Sequence, residues 1–150
     1  MLSRPAKRDL KHNRVIEGKG YKRDDGLWDV EVFLVDSKTY SFENMHRGYI
    51  SAGEPLHDMA VRLSLDDDRK IIDIEAVINA SPYNICPQAV KNCQNLKGEY
   101  LISGFNRKVI KAMGVKKDAG ILLIYWLMQE QLLIKHFGKR KLAVKPILFL

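Results

Sequence analysis

Two stretches, Trp28 to Leu34 and His57 to Ile78, alternate with period two around the Asp66-Asp67-Asp68 turn, the mark of strands that bury one face. Arg14 to Lys22 reads as a strand. Asp24-Asp25-Gly26 after it is turn chemistry, with a glycine available for positive φ. Trp28, Val30, Val32 and Leu34 then share one parity, against Asp29, Glu31 and Phe33 on the other. Thr39 to Phe42 forms a short continuation or third strand, followed by a polar loop through Gly48, Gly53 and Pro55. The clearest hairpin comes next. His57, Met59, Val61, Leu63 and Leu65 share a parity, Asp66-Asp67-Asp68 turns the chain, and Ile72, Ile74, Ala76 and Ile78 point inward. Arg62 then faces Asp73 or Glu75 across the hairpin, a structural contact worth roughly 0.2–1 kcal/mol.

After Ser81-Pro82 the period changes to that of a helix. Pro87 suits a first helical turn, which puts Cys86 at or near the N-cap. Ala89, Val90, Cys93 and Leu96 make the apolar stripe, and Gly98 is the expected residue past the C-terminus. Ser103 caps a second helix through Val109, Ile110 and Met113, closed by Gly114. Asp118 caps a third, running to about Phe137, and its Ile121–Met128 stretch is apolar nearly all round. Such a helix needs cover from the sheet or from another subunit. The expected fold class is therefore α+β: an N-terminal antiparallel β meander followed by three helices packed on one face. The expected organisation is a basic mobile arm over 1–12, one domain over 13–138, and a basic and apolar tail over 139–150.

Composition narrows the function classes. Apolar residues are 46% and charged residues 29% of 150, a globular balance that excludes wholesale disorder. The longest apolar run, Ala119 to Met128, falls short of the roughly 18–20 residues that span a bilayer, so no membrane helix is expected. Charges at the N-terminus stand where a signal peptide needs its apolar core. Only two cysteines, Cys86 and Cys93, fit a reducing cytoplasm better than a disulfide scaffold. The net charge of +7 is concentrated at the ends, where it suits a nucleic acid or an anionic surface, with solvated tails as the plainer reading. Neither end interleaves aromatic residues for base stacking. The greasy Ile121–Met128 helix offers a third role, homo-oligomerisation.

No phosphate-binding glycine loop, nucleophile elbow or zinc-protease helix is present. Asp66-Asp67-Asp68 lacks the glycine and terminal glutamate of a calcium loop and reads as a turn. Two residues carry usable chemistry. His57 lies near a strand start and is either a hydrogen-bonded core histidine or a ligand and proton-transfer group. Asp58 beside it leaves the opposite face if the strand is regular there, a restriction that relaxes at a strand's first residues. Cys86 opens a helix, where the dipole favours thiolate, although a small buried cysteine is the commoner outcome.

The strings Asp25-Gly26-Leu27-Trp28-Asp29-Val30-Glu31, Gly53-Glu54-Pro55-Leu56-His57-Asp58-Met59 and Ala80-Ser81-Pro82-Tyr83 with Cys86 resemble an uncharacterised bacterial family. In words it is domain-of-unknown-function family twenty-eight eighty-nine, and the resemblance runs from about Arg14 to Gly114. It implies a small bacterial, cytoplasmic protein with no established activity. The family continues past its glycine with Gly-Cys-Thr-His, where this chain has Asp118-Ala119-Gly120-Ile121. A family site built on those groups would keep His57, Asp58 and Cys86 here and lose two ligands, with Arg62 and Tyr83 in support. Three ligands suit a catalytic-type zinc with an open position, or iron.

Overall fold

The computed structural model describes residues 2–3, 5–82, 86–102 and 105–113, with backbone alone at 86–89, 106, 110, 112 and 113. The expected third helix, its Ile121–Met128 stretch and the tail over 139–150 lie outside the described residues, as do Tyr83, Ser103 and Gly114.

Four long strands carry the alternation: β1 (His12–Lys22), β2 (Trp28–Lys38), β5 (Pro55–Leu65) and β6 (Ile71–Ala80). They form one antiparallel sheet in the order β1-β2-β5-β6, the meander that the period predicts. Between β2 and β5, β3 (Phe42–Asn44) and β4 (Gly48–Ile50) pair as a separate two-stranded ribbon. The chain expected as loop around Gly48 is thus half of a hairpin. Its strands are three residues long, too short to show a period.

The helical part follows. Helix α1 (Cys86–Cys93) runs into a 3-10 turn over Gln94–Leu96, and α2 is Phe105–Met113. Three helices on one face are therefore not seen among the described residues. Gly98 adopts φ +89° and donates from its N–H to the Ile71 carbonyl at 2.8 Å, so the end of the first helical segment is tied to β6. The Gln94 side chain adds a bond from Nε2 to the Ile74 carbonyl at 2.6 Å.

The core is the layer between sheet and helices. Val30, Val32, Leu34, Met59, Val61, Leu63, Leu65, Ile71 and Ile74 meet Cys93, Leu96, Leu101, Phe105 and Val109 there. The inward residue at the start of β6 is Ile71, and Ile72 is 37% exposed. The register shift between Ser64 and Leu65 moves the parity by one at that point. Asp66 confirms its tripeptide as a turn, because its Oδ1 accepts from the backbone N–H of Asp68 (2.9 Å) and Lys70 (2.8 Å).

Candidate functional site

The inward parity of β2 continues past Val30, Val32 and Leu34 to Asp36, a carboxylate 1% exposed. Burying a carboxylate is costly unless it is paired and hydrogen-bonded, so its neighbours must be donors. They are supplied by the strands on either side. Arg14 on β1 and His57 on β5 are the cross-strand partners of Asp36, so all three side chains share one sheet face.

Arg14 donates to Asp36 Oδ2 through Nε at 2.9 Å and also through Nη2. Oδ1 receives two bonds from His57, its backbone N–H at 3.0 Å and its ring Nδ1 at 2.9 Å. His12 adds an ion-pair contact from Nε2 to Oδ2 at 3.5 Å. Burial opposes ionisation of Asp36, but the hydrogen bonds and charges of Arg14 and His57 outweigh it and hold the carboxyl below its usual range.

An ionised carboxylate only accepts, so Nδ1 of His57 must carry the proton it donates. In the neutral form of the ring this leaves the lone pair on Nε2, and no described residue hydrogen-bonds to that nitrogen. The imidazole is 13% exposed. A carboxylate on one ring nitrogen fixes tautomer and orientation for a metal ligand or for a proton-transfer group.

A second ion pair holds the strand start that carries His57. Arg47 donates from Nη2 to Glu54 Oε1 at 2.6 Å and from Nη1 to the Pro55 carbonyl at 2.8 Å. Glu54 Oε2 accepts from the Ser51 N–H at 3.1 Å, so the loop into β5 is closed on itself.

The residues expected at the site fare differently. His57 sits on the core face as its parity indicates. Asp58 pairs with Val35 and Ala80, on the opposite face from His57, and the carboxylate brought to the imidazole is Asp36. Arg62 forms its expected cross-strand ion pair with Glu75 on the exposed face, which gives it no contact with His57. Cys86 is the first residue of α1, consistent with a helix start, and Tyr83 lies outside the described residues. Among the described residues, no three His, Cys, Asp or Glu side chains are grouped to hold a metal ion. Asp36 and Arg14 were missed as site residues, although a carboxylate on the parity of Val30, Val32 and Leu34 is a visible signal.

Of the eight Lys and Arg residues in the first 23 positions, four form ion pairs among the described residues. Arg14 pairs with Asp36, Lys19 with Glu17, Lys22 with Asp67, and Arg23 with Asp25 and Asp29. No described helix is long and apolar enough to cross a membrane.

The family model for Protein of unknown function (DUF2889) matches residues 12–118. The chain belongs to the DUF2889 family. The match begins at the first residue of β1 and takes in Arg14, Asp36, Arg47, Glu54, His57 and Cys86, so the whole Asp36 cluster lies within the DUF2889 region. Neither a curated protein nor a solved structure matches the chain.

Proposed function

We propose that this DUF2889 protein binds a small ligand or a metal ion through Nε2 of His57, with Cys86 as the second reactive group. The reading is carried by the buried Asp36 carboxylate, which accepts both the ring Nδ1 and the backbone N–H of His57. An imidazole used only as filler needs no buried anion to orient it. Placing Asp36 there costs desolvation that an apolar residue on the parity of Leu34 would avoid.

Chain topology permits the role of Cys86. β6 ends at Ala80, the cross-strand partner of Asp58, and α1 begins six residues later at Cys86. A chain of that length reaches at most roughly 20 Å. A thiol at a helix N-terminus is biased toward thiolate, the form that attacks or ligates. The site would act in the cytoplasm, where such a thiol stays reduced.

The test is elemental analysis of the purified full chain, then zinc and iron titration, with thiol titration of Cys86. His57→Ala and Cys86→Ser should each abolish metal uptake or change thiol reactivity while the circular dichroism spectrum stays native. If both variants bind and react like the parent, or lose only stability, the site is structural.

A further inference from the structure

Strand β1 is the outer edge of the sheet, and nine of its eleven residues are exposed. Its register with β2 is unbroken from His12 opposite Lys38 to Lys22 opposite Trp28. At the two ends of that ladder, the Thr39 N–H donates to the Lys11 carbonyl and the Arg23 N–H to the Leu27 carbonyl. Odd-numbered residues therefore bond to β2, and residues 14, 16, 18, 20 and 22 aim their N–H and C=O groups outward. Among the described residues no strand takes them up. The other edge, β6, differs: two register shifts break its pairing, and the segment around Glu99 covers its start by accepting the Ile71 N–H. Proteins blunt long free edges with bulges, prolines, cover or charged side chains; among the described residues β1 has only the last, and its inward Arg14 and edge Lys22 are both occupied by carboxylates of the same chain.

We infer that β1 pairs antiparallel with β1 of a second copy about a two-fold axis at Gly18, joining two four-stranded sheets into one of eight strands. In that register the outward groups meet each other. Gly18 faces Gly18, Ile16 faces Gly20, and Arg14 faces Lys22 of the second copy. The last pair is like-charged, but Arg14 already holds Asp36, and Lys22 holds Asp67.

The odd residues select this register. Glu17 falls opposite Lys19 of the second copy, and Val15 opposite Tyr21, each twice; Glu17 and Lys19, 3.2 Å apart within one chain, thereby join into a four-charge cluster of alternating sign across the axis. Val15 is 55% and Tyr21 45% exposed in the single chain, so both are apolar groups in want of cover. Centring the axis on residue 17 instead would set Glu17 against Glu17, and centring it on residue 19 would set Lys19 against Lys19, both unfavourable. Within one chain the row Lys19-Glu31-Arg62-Glu75 alternates in sign across the sheet. Glu17 of the second copy extends that alternation by one place. Gly18 and Gly20 fit as well. Neither has a positive φ, and glycine in a strand interior often marks the close approach of another backbone.

The full chain is tested by light scattering over a concentration series and by cross-linking. It should be a dimer. Glu17→Lys should raise the dissociation constant at least about fivefold, and Glu17→Lys mixed with Lys19→Glu should form a heterodimer more tightly than either variant pairs with itself. Heterodimer formation by the mixture also shows that both single variants still fold. Glu17→Cys mixed with Lys19→Cys should give a disulfide-linked heterodimer faster than either variant alone, against the parent chain as background. A monomer at every concentration overturns the inference. So does a dimer indifferent to Glu17→Lys, which would place the contact elsewhere, for example on the Ile121–Met128 stretch.

Discussion

Replacing Asp36 by alanine removes the acceptor for four hydrogen bonds, two from Arg14 and two from His57. The His57 backbone N–H then has no acceptor in a strand, worth about 1–3 kcal/mol. Breaking a fully buried ion pair costs about 3–5 kcal/mol. Arg14, however, is 36% exposed and falls back on water, so its share is smaller. The sum expected is about 2–4 kcal/mol in a urea unfolding experiment followed by circular dichroism. Asp36→Asn should cost less than Asp36→Ala, because it keeps an oxygen for His57 but sets an amide NH2 against the Arg14 donors. Acid adds a second readout. The folded Asp36 is held below its ordinary range, so as pH falls the unfolded chain binds that proton first. Its stabilisation is complete above about pH 4 and is lost as pH drops through the folded value. Asp36→Asn should therefore flatten the acid limb of the stability profile. A cost below about 1 kcal/mol for Asp36→Ala, or an acid limb unchanged in Asp36→Asn, would refute the reasoning.

Other outcomes follow from the packing and the cysteines. Phe105→Ala should lose about 3–5 kcal/mol, because Phe105 is 1% exposed and fixes α2 on the sheet; a loss near zero in urea would mean that α2 is not docked there. Gly98→Ala should cost about 1–2 kcal/mol, since Gly98 has φ +89° and open space around the missing Cβ; thermal melts read this, and an unchanged midpoint contradicts the turn. Burial pushes the Cys93 thiol up to about 11, so the native Cys86→Ser variant should resist alkylation at neutral pH until denatured. Rapid labelling of that variant would contradict the buried placement of Cys93.

Much of the sheet was legible because a strand's two faces differ in composition. The hairpin of β5 and β6 follows directly from the parity of Met59, Val61, Leu63 and Leu65. Ile72 shows the limit: a bulge shifts the parity by one, and nothing in the local pattern announces it. The ribbon of β3 and β4 escaped because three residues carry no period. At the candidate site, His57 was legible from its residue type and parity. Its partner was harder to find, because Asp36 is distant in sequence from both His57 and Arg14 and meets them only once the register of β1, β2 and β5 is set. Asp58, adjacent in sequence, lies on the far face for the same geometric reason.

The tautomer of His57 tests the central claim most directly. Long-range proton–nitrogen correlation spectra of the full chain, at a pH where the ring is neutral, should show Nδ1 protonated and Nε2 bare. Asp36→Ala should lose that preference. A neutral ring protonated at Nε2 in the parent chain would mean that Asp36 does not hold the imidazole, and that no lone pair is presented to a ligand.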